Sequence, residues 1–307
     1  MDLKVKIGNT EFKNPVWVAS GTFGSGKEFE GLTELREIGA VVTKTITLEK
    51  REGNRPQRIV ETASGLLNSI GLENKGLDHF IEKTYPEAER TGADIIVSIA
   101  GSSCDEFLEC AEKLSEKVRP KGIELNLSCP NVAHRDTKHK LISQDPVSTE
   151  NIVKRTRRTT ETLLIAKLTP NVTDITEIAR AAEAGGADAV ALVNTYMGMA
   201  VDAFSAKPVL GNVFGGLSGP AIKPLALKSV WDVYNSINIP IIGIGGIMTG
   251  EDVAEFILCG ADAVQTGTVN LVDPSSHGRI LKEFREFLNR KGASSPIELK
   301  GKLAAGL

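Results

Sequence analysis

The chain has 307 residues, of which 41% are hydrophobic and 24% are charged, and its formal net charge is −3. These proportions are ordinary for a globular protein, and the acidic balance argues against nucleic acid as a main partner, because a phosphate backbone is bound by a basic face. The longest apolar runs, such as residues 239–247, are far shorter than the roughly 20 residues that cross a bilayer, so we expect no membrane segment.

The N-terminus and the cysteines both indicate a reducing compartment. Residues 1–6 lack the apolar core of a signal peptide, so we expect a cytosolic, cytoplasmic protein. The cysteines are widely spread and form no Cys-x-x-Cys pair; they are Cys104, Cys110, Cys129 and Cys259. This spacing predicts no disulfide framework, no metal site and no iron–sulfur cluster held by this chain alone.

The chain begins with a predicted β-hairpin over residues 5–12, with Gly8-Asn9 as its turn. After it, short apolar runs typical of buried parallel strands alternate with helical stretches. The predicted strands are Val16–Ala19, Val41–Lys44, Ile95–Ile99, Ile123–Leu127, Leu163–Lys167, Ala189–Val193, Ile239–Ile244 and Ala263–Gln265. The predicted helices are Phe29–Ile38, Leu77–Thr91, Glu106–Val118, Thr149–Thr160, Asp174–Ala184, Ala221–Ile237, Glu251–Leu258 and Arg279–Arg290.

Strands that alternate with helices eight times predict an α/β protein with a (β/α)8 TIM barrel behind the N-terminal β-hairpin, and a doubly wound open sheet is the competing architecture. Several predicted helices are followed by a Gly-Ala pair, where glycine is expected in the left-handed conformation that ends a helix. The pairs begin at Gly39, Gly92, Gly186 and Gly260. Residues 45–76 and 194–221 are expected to form loops over the barrel top, and residues 1–307 a single domain.

Polar residues end most of the predicted strands, and a barrel enzyme works at the carboxyl ends of its strands. At strands seven and eight, Gly245, Gly246 and Gly267 let a ligand approach backbone N–H groups, and Thr268 adds a hydroxyl. A helix is predicted to begin near Asp252, and the N-terminus of a helix favours an anion. Together with the ends of strands seven and eight, it predicts a phosphate site. Ordinary glycine turns are the alternative.

Two lysines end buried strands, Lys44 after strand two and Lys167 after strand five. A buried ammonium has to be paired or has to serve a ligand. We expect both lysines to converge on one pocket that takes a phosphorylated cofactor. A structural ion pair is the alternative for each of them.

The segment Asn126-Leu127-Ser128-Cys129-Pro130-Asn131 places a polarizable base and amide groups directly after strand four. A polar turn with one inert buried cysteine is the alternative. The loop at residues 68–74 and Asn194 add further amides, and such a set suits a planar, hydrogen-bonding ring. A turn-rich loop explains residues 68–74 equally well.

A series of short motifs along almost the whole chain matches, in order, the motifs of a known protein family. They are Ala19-Ser20-Gly21-Thr22, Lys44-Thr45, Asn68-Ser69-Ile70-Gly71-Leu72, Asn126–Asn131, Lys167-Leu168-Thr169-Pro170-Asn171-Val172, Asn194-Thr195, residues 215–224, Gly243–Gly246 and Gly267-Thr268. This series resembles the dihydroorotate dehydrogenases, and within that family the class 1B type.

The resemblance implies an FMN-binding barrel that oxidises dihydroorotate to orotate in de novo pyrimidine (UMP) biosynthesis. It also implies a partner electron-transfer subunit carrying FAD and a [2Fe–2S] cluster, through which electrons reach NAD. Two catalytic and two electron-transfer subunits would form a heterotetramer.

The resemblance also implies roles for individual residues. Cys129 would be the base that removes a proton from C5 of the substrate, and Lys167 would lie near the N1/O2 edge of FMN. The implied substrate-binding residues are Lys44, Asn68, Ser69, Ile70, Gly71, Leu72, Asn126, Asn194 and Thr195. The implied FMN-binding residues are Ser20, Lys44, Thr45, Ser98, Asn126, Lys167, Val193, Gly219, Gly245, Gly246, Gly267 and Thr268.

The chain departs from the family pattern in two places. Ser98 stands where many relatives carry an asparagine that touches FMN. Residues 132–142 lack the Gly-Gly common in relatives and are a few residues longer, in a loop expected to close over the substrate.

Three other functions stay open on the sequence. A class 1A enzyme would perform the same oxidation as a homodimer that reduces fumarate. A related flavin barrel would act on another dihydropyrimidine. A barrel without catalytic activity would only bind a phosphate-bearing ligand.

Overall fold

The structure is a computed structural model and describes residues 1–127 and 144–304. In chain order the strands are β1 (Val5–Ile7), β2 (Thr10–Phe12), β3 (Val16–Val18), β4 (Val41–Val42), β5 (Ile59–Thr62), β6 (Gly65–Asn68), β7 (Ile95–Ile99), β8 (Gly122–Asn126), β9 (Leu163–Lys167), β10 (Ala189–Leu192), β11 (Tyr196–Met199), β12 (Val201–Asp202), β13 (Lys207–Pro208), β14 (Phe214–Ser218), β15 (Ile241–Ile244) and β16 (Ala263–Thr266). The helices are α1 (Leu77–His79), α2 (Tyr85–Arg90), α3 (Cys104–Lys117), α4 (Pro146–Arg157), α5 (Ile175–Ala184), α6 (Lys223–Tyr234), α7 (Gly250–Leu258), α8 (Val269–Val272) and α9 (Ser276–Lys291).

Eight parallel strands close into a barrel in the order β3-β4-β7-β8-β9-β10-β15-β16, with β16 returning to β3. This closure confirms the (β/α)8 prediction and rules out the open sheet. The N-terminal hairpin is confirmed as well, because β1 and β2 pair antiparallel with Ile7 opposite Thr10. Its two-residue turn needs a residue that tolerates positive φ, and Gly8 has a φ of 57°.

The first predicted helix, Phe29–Ile38, is wrong. Only short 3-10 turns form there, at Lys27–Phe29 and Leu35–Glu37, and Gly31 between them has a φ of 79°, which a right-handed helix does not contain. Gly39 is accordingly not in the left-handed conformation that we expected of it, whereas Gly92, Gly186 and Gly260 are. The other predicted helices form, with ends that differ by a few residues, and a π-helical turn over Phe80–Thr84 joins α1 to α2.

The two long connections are more ordered than the loops we predicted. Four of their strands form one antiparallel sheet in the order β11-β14-β6-β5, and β12 pairs with β13 in a small hairpin. The segment after β4 supplies β5 and β6, while the segment after β10 supplies β11 and β14. This sheet, here called the roof sheet, supplies residues to the same cavity as the carboxyl ends of the barrel strands.

The core has two layers, and the period of two along each strand explains both. Side chains that point into the barrel form an apolar cluster with the hairpin, including Trp17, Ile96 and Ile165. Alternate side chains, such as Ile123 and Leu125 of β8, pack outward under the helices. Within the described residues, no helix is both long enough and apolar enough to span a bilayer.

Candidate active site

A cavity lies between the carboxyl ends of the barrel strands and the roof sheet. Most residues that the sequence nominated line it: Ser20, Lys44, Thr45, Asn68, Ile70, Leu72, Asn126, Lys167, Val193, Asn194, Thr195, Gly219, Gly245, Gly246, Gly267 and Thr268. They lie at or just after the carboxyl ends of seven of the eight barrel strands, and in or just after strands β6 and β14 of the roof sheet. Closure of the barrel brings them together.

Two nominated residues of the segment 68–72 do not line the cavity. Ser69 is fully buried, and its Oγ accepts a hydrogen bond from Asn54 Nδ2 at 3.0 Å. Gly71 has a φ of 77° and also packs against Asn54. Asn68, Ile70 and Leu72 line the cavity, whereas the two residues between them do not. The chain leaves the extended conformation after β6, and Leu72 has a φ of 56°.

Ser98 is also absent from the cavity lining. It is fully buried in the barrel, and its Oγ lies 2.9 Å from Thr45 Oγ1. Thr45 Oγ1 in turn lies 3.0 Å from Ser20 Oγ and accepts a hydrogen bond from Asn126 Nδ2 at 3.0 Å. We call Ser20, Thr45, Ser98 and Asn126 the hydroxyl cluster. It is uncharged, and within residues 1–127 and 144–304 it is Thr45 that joins Ser98 to the cavity.

On the next strands the barrel interior carries charge. Lys167 at the end of β9 is 5% exposed, and its Nζ lies 3.4 Å from Glu124 Oε1 on β8. Gln265 on β16 donates a hydrogen bond from Nε2 to Glu124 Oε2 at 2.9 Å. Glu124 and Gln265 are both fully buried. We call Glu124, Lys167 and Gln265 the charged cluster.

Lys167 forms the buried ion pair that was one alternative for it, and it also lines the cavity, as the other alternative requires. Lys44 is the other charged residue among those that line the cavity in the described part of the chain, and no carboxylate does. An anionic or electron-rich ligand therefore meets two ammonium groups on this surface. Lys167 is 5% exposed, and an attraction between charges is stronger beside a buried group than in bulk water.

Glycines at the ends of β15 and β16 shape one end of the cavity. Gly246 has a φ of 70°, and a Cβ there would lie 2.9 Å from the carbonyl oxygen of Gly219, so only glycine fits. At Gly267, by contrast, a Cβ would meet no atom nearer than Ala19 Cβ at 3.9 Å, which leaves open space in the cavity. Thr268 Oγ1 donates to Ser218 Oγ at 2.8 Å beside this space.

The N-terminus of α7 does not add to the predicted phosphate site, because its own residues close it. Thr249 and Asp252 form a capping box, and the Asp252 carboxylate also accepts from the backbone N–H of Met248. Lys223 pairs with this carboxylate and with Glu255. Burial alone would lower the pKa of Lys223, but the two carboxylates raise it above its ordinary value.

Amide groups hold the wall under the roof sheet. Asn68 Nδ2 donates to the carbonyl of Gly216 across the β6–β14 pair at 3.2 Å. Asn194 Oδ1 accepts from the backbone N–H of Thr195 at 2.8 Å. Asn171, within the motif that begins at Lys167, donates from Nδ2 to the carbonyl of Thr195 at 3.0 Å. These bonds fix the end of β10 against the end of β9.

Sequence reasoning missed two groups of residues. Apolar side chains on the cavity wall were not nominated: Ile59, Leu66, Ile222, Ile244 and Leu271. Glu124 was also missed, although a charged residue in the middle of an apolar run was a usable signal. An inward-facing carboxylate in a buried strand needs a partner, and its partner is Lys167.

The nominated base, Cys129, lies outside the described residues, and so does the expected lid at residues 132–142. The same holds for Ser128, Pro130 and Asn131 of the segment after strand four. Asn126 and Leu127, which lead into that segment, are described, and Asn126 lines the cavity.

Comparison with known proteins agrees with the resemblance seen in the motifs. The family profile described as "Dihydroorotate dehydrogenase" matches residues 2–288. The chain is 46% identical over 302 residues to the protein named "Dihydroorotate dehydrogenase B (NAD(+)), catalytic subunit" from Parabacteroides distasonis, covering 98% of each chain. Proteins of the same name from Bacteroides thetaiotaomicron and Geobacter metallireducens are also 46% identical, over 98% of this chain and 99% and 98% of theirs. The chain belongs to the dihydroorotate dehydrogenase family.

Proposed function

We propose that this chain is the catalytic subunit of an NAD-linked dihydroorotate dehydrogenase. It oxidises dihydroorotate to orotate in pyrimidine biosynthesis and passes the electrons to a partner subunit. The relatives that it matches over nearly their whole length carry this activity in their names. The observation that carries the proposal is the meeting of Lys44 and Lys167 with the amides of Asn68, Asn126 and Asn194 in one cavity.

The cavity suits FMN as the resident cofactor of this flavin enzyme. Two ammonium groups and no carboxylate line it in the described part of the chain, which favours a ligand that carries a phosphate and an electron-rich ring. The open space at Gly267, next to the Thr268 hydroxyl, gives room for a phosphate group at the glycine-rich end. Gly219, Gly245, Gly246, Gly267 and Thr268 would hold that end, while Lys167, Thr45 and Asn126 would bind the ring.

The substrate would lie on the amide side of the cavity. Asn68, Asn194 and Thr195 would bind the pyrimidine ring, and Lys44 would pair with the carboxylate of dihydroorotate. Ile70 and Leu72 add apolar walls that exclude water and so strengthen these polar contacts. Ser69 and Gly71 would act through the backbone of the same segment, because their side-chain positions face Asn54.

Cys129 is proposed as the general base. When bound, FMN supplies the acceptor for the hydride that leaves C6 of dihydroorotate. Cys129 takes the proton from C5 as a thiolate, so the two C–H bonds break, the C5=C6 double bond forms, and orotate is the product. A thiol suits this task because it ionises far more readily than a serine hydroxyl does, with an ordinary pKa of about 8.5.

The electrons must then leave through another polypeptide. We propose a partner subunit that carries FAD and a [2Fe–2S] cluster, in a heterotetramer of two catalytic and two electron-transfer subunits. The four cysteines of this chain are too far apart in sequence to suggest a cluster of its own. The cytoplasmic location expected from the sequence and the single FMN-binding domain over residues 1–307 also stay predictions.

The central experiment tests the cofactor, the substrate and the acceptor in one preparation. The chain is co-expressed with a candidate electron-transfer subunit that carries FAD and a [2Fe–2S] cluster, and flavin and iron are measured. Dihydroorotate added without oxygen should bleach the flavin absorbance, and NAD⁺ should be reduced only when the partner is present. Turnover of the single chain with fumarate would instead support the class 1A alternative, and a colourless protein would overturn the proposal.

The role of Cys129 has its own test. Cys129→Ser should lose at least about a hundredfold in kcat near pH 7 and recover part of it at high pH, because a hydroxyl is a far weaker base than a thiolate. Cys104→Ser is the matched control, since Cys104 lies at the start of the outer helix α3, and it should keep the wild-type pH profile. A Cys129→Ser enzyme with an unchanged pH–rate profile would remove the cysteine from this role.

A further inference from the structure

Glu124 is a buried carboxylate that the proposed reaction does not use directly. It is fully buried in β8, it is not among the residues that line the cavity, and both of its oxygens are engaged. Oε1 lies 3.4 Å from Lys167 Nζ, and Oε2 accepts from Gln265 Nε2 at 2.9 Å. Its charge is therefore directed at Lys167 from behind the cavity floor.

A carboxylate in this position is expensive to maintain. An ionised group loses its water shell on burial, and only a partner of opposite charge and good hydrogen bonds offset that loss. Gln265 adds one hydrogen bond, while its own Oε1 has no hydrogen-bond partner within the described residues. Apart from the hydroxyl cluster, many inward-facing side chains of the barrel are apolar, such as Ile96 and Ile165, so a buried charge at position 124 is not needed for packing.

We propose that Glu124 is a positioning and charge-balancing residue for Lys167. It holds the ammonium at the cavity floor and offsets its positive charge, and it thereby limits how strongly Lys167 stabilises the reduced form of a bound flavin. The inference rests on the proposed function, since it takes FMN to be the ligand. Lys167 touches the ligand, whereas Glu124 acts through Lys167.

The electrostatic consequence follows from the charge that reduction adds. Two electrons enter a bound flavin on reduction, so the reduced form is at least as negative as the oxidised form, and a neighbouring cation favours it. A paired lysine presents less net charge than a free one, so Glu124 keeps the flavin midpoint potential lower. A lower potential suits an enzyme whose electrons travel on to NAD⁺, which is a weak oxidant.

The test measures the midpoint potential of FMN bound to purified holoenzyme, by stepwise reduction followed in the visible spectrum. Glu124→Gln keeps the shape of the side chain and removes its charge. In this variant the ratio of the affinity for reduced FMN to the affinity for oxidised FMN should be roughly tenfold higher than in the wild type. For a two-electron couple this corresponds to a midpoint potential about 30 mV more positive. A folded, FMN-loaded Glu124→Gln protein with an unchanged or lower potential would overturn the proposal.

Glu124→Asp separates charge from packing. It keeps the carboxylate but loses a methylene, so its potential should fall between those of the wild type and Glu124→Gln. A purely structural role for Glu124 would make the shorter side chain at least as harmful as glutamine. If Glu124→Gln does not fold, Glu124→Asp carries the test alone: a smaller positive shift supports the proposal, and no shift or a negative shift contradicts it.

A double variant tests whether Glu124 acts through Lys167. In a Lys167→Met background, adding Glu124→Gln should change the potential by less than half of what it changes in the wild type. An undiminished change would show a direct effect of Glu124 on the flavin and would overturn the positioning role. Wild-type protein that binds no FMN would overturn the proposed function, and this inference with it, whereas bound FMN with unaltered potentials would overturn this inference alone.

Discussion

The hydroxyl cluster and the charged cluster lie side by side below one cavity, and each keeps polar side chains buried. They do so in opposite ways. Thr45 Oγ1 joins Ser20, Ser98 and Asn126 through neutral hydrogen bonds of 2.9 to 3.0 Å. Glu124 and Lys167 instead bury two opposite charges 3.4 Å apart. A neutral cluster loses little on burial once its bonds are made, while a charged pair depends on both members. The barrel therefore carries one robust and one vulnerable polar site.

The vulnerable side gives the largest expected effect. Lys167→Met should lower the free energy of unfolding by about 3–5 kcal/mol, because Glu124 is then left as a buried charge without its partner. Urea unfolding of the FMN-free protein measures it. Adding Glu124→Gln to Lys167→Met should restore most of the loss, since an uncharged pair of similar volume is tolerated. Equal stability of Lys167→Met and wild type would mean that the pair is not held as a buried ion pair.

Another buried ionisable residue, His277, lies outside both clusters. Its contribution to the pH dependence of the unfolding free energy must be known before the stabilities of the two clusters are compared at different pH values. His277 is 1% exposed and bonds through Nε2 to the carbonyl of Val16 at 2.9 Å. Burial lowers its pKa from 6.5 to about 4. Between these two pH values the unfolded chain binds more protons than the folded chain. The stability that neutral His277 contributes is therefore fully present above about pH 6.5 and is lost as the pH falls towards 4.

The loss should total about 3 kcal/mol, at 1.36 kcal/mol for each pKa unit. Urea unfolding at a series of pH values from 7 to 4 measures it. His277→Gln is the matched variant, because it keeps a donor for the carbonyl of Val16 but does not titrate. Between pH 7 and pH 4, the unfolding free energy of His277→Gln should fall by about 3 kcal/mol less than that of the wild type. If both proteins lose stability equally with falling pH, His277 is not the titrating group.

The smallest effects are expected on the robust side. Thr45→Val keeps the shape of the side chain and removes three hydrogen bonds at once, which should cost about 2 kcal/mol of unfolding free energy. Ser98→Ala removes only the bond to Thr45 and should cost about 1 kcal/mol. Thr45→Val should also weaken FMN binding more than Ser98→Ala does, because Thr45 lines the cavity and Ser98 does not. The reverse order in FMN affinity would give Ser98 a direct contact that its position does not suggest.

Much of the barrel could be predicted from the sequence, because each strand is a short apolar run and each side chain alternates in direction. The ends of these apolar runs also predicted Lys44, Lys167 and Asn194 at the carboxyl ends of strands, and those residues do line the cavity. Prediction from local patterns failed where a single residue decides the backbone, as in the predicted helix Phe29–Ile38, which Gly31 interrupts. It also failed for the roof sheet, since β6 pairs with β14, about 150 residues further along the chain.

Local sequence thus determined the barrel strands, the N-terminal hairpin, most of the helices and the polar character of the cavity. The tertiary structure alone decided which of those polar groups became partners. Glu124 is 43 residues from Lys167 and 141 residues from Gln265 in the chain, and Ser98 is 53 residues from Thr45. No local pattern encodes such pairs. They exist because closing eight tilted strands into a barrel brings distant side chains within hydrogen-bonding distance in its buried interior.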